Sequence, residues 1–114
     1  MRVYHAEDRI EDKSIVIKGL LDTGNGLREP VTNLPCIIIE DYFINEIFNN
    51  SREEFLIPYS TVSEEGNLKG FKSKEVRIRG DDMKWQSVEV ILCICKNKLS
   101  KDDEFNALLS RGVI

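Results

Sequence analysis

The 114-residue sequence contains one histidine, His5, and three cysteines, Cys36, Cys93 and Cys95. So few soft or nitrogen ligands argue against a Cys/His metal centre, and a Cys–His nucleophilic pair is short of the same partners. No metal and no cofactor are expected, and His5 reads as an ordinary, partly exposed side chain. The cysteines are odd in number and lie inside apolar runs, which favours reduced, core-packed thiols of a cytosolic protein. Long hydrophobic runs are missing too: the apolar stretches fall far short of the roughly 20 residues that span a bilayer. The first residues lack the charged-then-apolar layout of a secretion signal, so a soluble piece is expected. There is no excess of positive charge. The formal charge is −4 and the pI about 5.1, which argues against a nucleic-acid surface built on clustered Lys and Arg. Repeats, low-complexity tracts and internal linkers are also absent, leaving one domain over residues 1–114.

What remains is a globular composition, 41% hydrophobic and 32% charged, with many short β-like segments. "MRVYHA" reads as a short strand before a charged turn, "EDRIEDK". "SIVIKGLL" is rich in β-branched residues and predicts a largely buried strand. "CIIIE" predicts a strand buried on both faces. "DYFINEIFNN" changes period: Phe43, Ile44, Ile47 and Phe48 recur at helical spacing behind Asp41, a fair cap residue. "EFLIPYSTV" is a strand in which Pro58 points to an edge or a bulge. In "FKSKEVRIRG", Val76 and Ile78 alternate with charged residues. "DDMKWQSVEVILCICK" is the longest strand candidate, with Val88, Val90, Leu92 and Ile94 as one apolar stripe and Trp85 on the opposite parity. The tail "SKDDEFNALLSRGVI" predicts a capped helical turn through Phe105, Leu108 and Leu109. The sum is a mainly β fold with one or two short helices, in the form of a small closed barrel or sandwich.

One stretch carries chemistry. "IVIKGLLDTGNG" runs an apolar strand straight into Asp22, and Gly24 permits a tight turn that would hold the carboxylate. The Thr23 hydroxyl is placed to bond a neighbouring backbone or a partner loop. Asp-Thr-Gly-Asn-Gly is equally good material for an ordinary surface turn.

"GLLDTGNGLREPVTNLPCIIIE", followed by "FLIPYSTVSEEGNLKGFKSKEVRI", resembles the sporulation sigma-E factor processing peptidases, the stage II sporulation protein GA family. The resemblance runs from about Ile15 to the terminal "NALLSRGVI". It implies a retropepsin-like (acid protease) closed β-barrel in which Asp22 is the catalytic carboxylate, with Thr23 and Gly24 supporting the catalytic loop. It also implies a membrane-spanning amino-terminal half that this piece lacks, and with it a place on the cytoplasmic face of the mother cell's septal membrane. The substrate would be a sigma factor precursor, pro-sigma-E, whose amino-terminal pro-segment is removed. A secreted forespore signalling protein would act through the membrane half. In one respect the sequence departs from retropepsins. The apolar-apolar-Gly element that supports their catalytic loop corresponds to "ALLSRG" (Ala107 to Gly112), where no glycine directly follows the two leucines.

Aspartic-protease chemistry needs two carboxyl groups sharing a proton, and Asp-Thr-Gly occurs once. The expected active form is therefore a homodimer in which Asp22 meets its own equivalent on a two-fold axis. Without its membrane half the isolated domain should dimerise weakly. A flap is expected as a hairpin tip around Ser63–Gly70, including Ser63, Glu64, Glu65, Gly66 and Asn67. An extended peptide beneath it would be held by strand addition. Trp85 reads as core. Arg28 and Glu29 read as a solvated ion pair, with a pair across the dimer seam as the alternative. Two other readings stay open: a retropepsin-like module that binds a peptide or dimerises without cutting, and an unrelated small β domain in which Asp-Thr-Gly is only a turn.

Overall fold

A computed structural model describes residues 3–10, 13–43, 54–60, 65–72 and 75–114. Among these the chain is mainly β: β1 (Val3–Ile10), β2 (Lys13–Asp22), β3 (Cys36–Glu40), β4 (Glu54–Ser60), β5 (Glu65–Phe71), β6 (Glu75–Arg79), β7 (Trp85–Val88), β8 (Ile91–Cys95) and β9 (Ala107–Ser110). They form one nine-stranded sheet in the order β4-β5-β8-β3-β9-β2-β1-β6-β7. The β2–β9 and β3–β8 ladders are parallel and the others antiparallel.

The three consecutive isoleucines of β3 explain its central place. Ile37 and Ile39 enter one core with Ile17, Val76, Ile78, Leu92, Ala107 and Leu109. Ile38 points the other way and packs on a second cluster of Cys36, Ile57, Ile91 and Cys93. Burial on both faces, as expected from the sequence, suits a strand flanked on either side. Along the ladder β6 is separated from β3 by β9, β2 and β1, yet its Val76 and Ile78 share the first core with Ile37 and Ile39. The sheet must coil strongly to bring them together. It does not close: β4 and β7 remain its edges, so the expected closed barrel is corrected to a coiled open sheet. Pro58 on β4 sits on an edge strand, where a missing N–H costs no ladder bond.

Four further expectations change. Of the expected charged turn after Ala6, Glu7–Ile10 continue β1 instead, which pairs with β2 from Val3↔Leu20 to Ile10↔Lys13, and Glu11 and Asp12 lie outside the described residues. The strand 85–95 is two strands. β7 pairs with β6, and β8 pairs with β3 and β5, with Glu89 and Val90 between. Val88, Val90, Leu92 and Ile94 nevertheless all face the first core. The stripe records which face is buried, not which neighbour supplies the hydrogen bonds. The tail is not helical, because Ala107–Ser110 inserts as a strand between β2 and β3. Gly19 makes room for it: a Cβ there would overlap the Leu109 side chain. β2 is also buried on one face only over its described side chains, with Val16 exposed and Ile17 buried. Of the expected helix after Asp41, a 3-10 turn covers Asp41–Phe43, and residues 44–50 lie outside the described residues.

Candidate active site

β2 ends on Asp22, and the chain turns at once. Asn25 N–H donates to the Asp22 carbonyl at 3.0 Å, and Gly24 N–H donates to Asp22 Oδ1 at 3.2 Å. Among the described residues this is the only hydrogen bond to the Asp22 side chain, which is half-buried, while Thr23 and Gly24 are exposed. The carboxylate is thus held by one amide and only half-buried. Residues beyond the motif fix the loop. Asn25 Oδ1 accepts from Leu27 N–H at 2.9 Å, and Asn25 O accepts from Arg111 N–H at 2.7 Å. β9 lies parallel beside β2 with Ser110 opposite Asp22. The fully buried Ser110 Oγ accepts from Cys36 N–H at 3.0 Å. "ALLSRG" therefore flanks the loop directly. Ser110 and Asn25 carried no signal of this role in the sequence, because their partners are remote or belong to the backbone.

The next turn uses its acid differently. Glu29 is 2% exposed. Its Oε2 accepts from Val31 N–H at 2.8 Å and its Oε1 from Thr32 N–H at 2.6 Å. Burial pushes the Glu29 pKa up, but the amide and Thr32 hydrogen bonds outweigh it and hold the carboxyl below its ordinary range. Arg28 Nη1 donates to Asn33 O at 2.7 Å, and its guanidinium lies against Gly112, in the left-handed region at φ +99°, where a Cβ would overlap it. The expected solvated Arg28–Glu29 pair is corrected: both side chains are spent on backbone groups around the 28–35 turn.

β4 and β5 pair antiparallel from Glu54↔Phe71 to Ser60↔Glu65. A cleft of about 990 Å³ runs between this hairpin, the Asn25–Leu27 end of the loop and the end of β8. Tyr59, Ser60 and Asn67 of the hairpin and Ile38 and Ile94 of the sheet line it. The residues of the expected flap around Ser63–Gly70 fall on this hairpin. Glu65, Gly66 and Asn67 are paired strand residues of β5, and Ser63 and Glu64 lie outside the described residues. The glycines do not turn the chain here. A Cβ at Gly70 would overlap Ile57, and one at Gly66 would crowd the Tyr59 ring.

Other candidates fall into structural roles. Asp82 accepts from Lys84 N–H at 3.2 Å, and Asp103 pairs with Lys98 at 3.0 Å. The three cysteines are free, and a hydrogen bond to Cys36, reinforced by burial, pushes the Cys93 thiol up and keeps it protonated. Trp85 is not core. It is half-buried on edge strand β7, with the Arg77 and Arg79 guanidinia 5.5 and 4.8 Å from its ring centre. The side chain of His5 is outside the description. Among the described residues, no group of three or more His, Cys, Asp or Glu side chains could hold a metal ion, and no helix is long and apolar enough to cross a membrane.

Comparison with known proteins adds the lineage. The chain is 40% identical over 113 residues to a probable sporulation sigma-E factor-processing peptidase of Clostridium acetobutylicum. The match takes in 98% of this chain and 42% of the relative, so the chain spans about two fifths of that protein's length. No solved structure matches. The family model of sporulation factor SpoIIGA, a peptidase family, matches residues 2–113, and the chain belongs to that family.

Proposed function

We propose that this chain is the peptidase domain of a sporulation sigma-E factor-processing enzyme, with a retropepsin-like fold and an aspartic mechanism completed by a second copy. The observation that carries the reading is the state of Asp22: delivered by a strand, aimed by one amide, and left accessible beside a cleft bounded by a β-hairpin. The parallel β9 beside β2 and the family membership add support.

In the proposed dimer, two Asp22 carboxyls face each other across the two-fold axis and share one proton, because two like charges so close cannot both ionise. The ionised member takes a proton from water as the water attacks the scissile carbonyl. The protonated member hydrogen-bonds the carbonyl oxygen, and a proton then passes to the leaving amine. Thr23, exposed beside Asp22, would bond the partner's loop. The substrate is the amino-terminal pro-segment of a sigma-E precursor, lying extended beneath the β4–β5 hairpin. Dimerisation of the isolated domain is weak. In the longer protein a membrane-spanning half at the cytoplasmic face raises the local concentration and receives the signal of a secreted forespore protein.

The test is processing of the precursor by the full-length protein, with Asp22 intact or changed. Asp22→Asn should lower cleavage on the order of 10³-fold or more with the fold retained. Normal processing by that variant would end the reading.

A further inference from the structure

The cleft beside the loop has a charge pattern unlike that of the whole chain. Acidic residues outnumber basic ones, 20 to 16, in the sequence, yet no described residue lining the cleft is acidic, and two, Lys69 and Lys96, are basic. Asn25, Asn67 and Asn97 add amide groups, while Leu27, Ile38, Leu68, Ile94 and Leu99 supply an apolar floor. Register places the first cation, since Lys69 on β5 pairs opposite Ile94 of β8. Lys96 follows directly after β8 and is exposed. Lys96 also borders a neighbouring hollow lined by Glu40, Asp41 and Asp103, and Glu54 Oε1 sits 3.9 Å from Lys69 Nζ, with both side chains largely in water. Such a pair is worth little and yields easily to a better-placed anion.

We propose that the cleft selects an extended peptide segment in which apolar side chains are followed or preceded at once by Asp or Glu. The apolar groups take the floor, and the Lys69–Lys96 rim meets the carboxylate. This rests on the proposed peptidase reading and adds a sequence preference to it. Complementary charge at a partly wet rim favours the right partner and speeds encounter more than it deepens affinity. The expected discrimination is therefore modest and falls with salt.

The experiment separates binding from cutting. Blocked hexapeptides with a leucine pair flanked by glutamates are titrated into this chain carrying Asp22→Asn, followed by amide shifts in nuclear magnetic resonance. Matched peptides carry glutamine or lysine in place of glutamate. The glutamate peptide should bind about threefold to tenfold more tightly than the glutamine one at low salt, with shifts at Leu68, Ile94 and Lys96. The preference should vanish in Lys69→Gln/Lys96→Gln, invert toward the lysine peptide in Lys69→Glu/Lys96→Glu, and persist in Lys84→Gln, a control at the β7 end. Equal binding of all three peptides, or a preference indifferent to the two lysines, overturns the proposal. Cleavage of the peptides by the unaltered full-length protein is scored separately. Cleavage without acidic preference sinks this inference and spares the peptidase reading. Lysine-dependent binding with no cleavage of precursor does the reverse.

Discussion

Two acid-headed turns stand one short loop apart, and they use their carboxylates in opposite ways. Glu29 is buried and spends both oxygens on the amides of Val31 and Thr32. Asp22 is half-buried and accepts from Gly24 N–H. A carboxylate saturated by backbone donors is a fastener, because any reaction at it must first break the bonds that hold the turn. A carboxylate held by a single amide keeps lone pairs for water, a proton or a substrate carbonyl. Residue type does not distinguish the two; the number of donors aimed at each does.

The largest test exchanges charge for amide at both acids. Asp22→Asn should abolish processing while the melting temperature stays where it was. Glu29→Gln should do the opposite. A glutamine offers one acceptor oxygen where the glutamate offers two, so one of the Val31 and Thr32 amides loses its partner. The melting temperature should fall on the order of 5 °C, with processing kept in proportion to the folded fraction. The reverse pattern, a stable but inactive Glu29→Gln, would mean that the two turns have been assigned the wrong way round.

Acid sharpens the same contrast. The folded-state pKa of Glu29 lies below its ordinary value of 4.5. Its stabilising contribution is therefore fully present above about that pH and is lost as the pH falls through the lower folded value. The unaltered chain should lose melting temperature in acid more steeply than Glu29→Gln, which has no such proton to bind. Parallel profiles would show that Glu29 is not held by its amides.

Gly19→Ala probes the support under the reactive turn. The added methyl meets the Leu109 side chain, so either β9 moves away from β2 or Leu109 leaves its packing. The expected cost is about 1–3 kcal/mol, read by urea denaturation. Processing should fall more than stability does if the position of β9 sets the direction of Asp22. An unchanged midpoint would place Leu109 elsewhere.

Much of this contrast lay outside the reach of sequence. Alternation identified the core face of Val76 and Ile78 and of the stripe from Val88 to Ile94, because period-two burial is a local property. Three consecutive isoleucines marked β3 as doubly buried for the same reason. The break at Glu89 and Val90 was invisible, since both halves face one core and only the pairing partner changes. β9 reads as helical because Phe105, Leu108 and Leu109 fit a turn of helix. A slot between β2 and β3 that demands hydrogen bonds on both edges overrides that weak spacing. At the site, the Asp-Thr-Gly turn was legible as a candidate because glycine beside an acid at a strand end is a local pattern. Glu29 was misread, because its donors lie in its own turn and adjacent Arg28 suggested a simple ion pair. Trp85 was misread because β7 became an edge, where stacked arginines rather than core side chains cover the ring.

The smallest expected effect concerns Ser110, opposite Asp22 in the ladder. Its hydroxyl accepts from Cys36 N–H, and that amide also donates to Leu27 O at 3.1 Å. Ser110→Ala removes one acceptor from a donor that keeps another, so the cost should be about 1 kcal/mol, with processing nearly unchanged. The pairing of Asp22 with Ser110 is a backbone matter, and β9 is followed at once by Arg111, whose N–H holds the Asn25 carbonyl. The loop thus stays tied to β9 without the hydroxyl. A large loss of processing at full stability would contradict this and make the serine hydroxyl, rather than the strand that carries it, part of what orients the reactive turn.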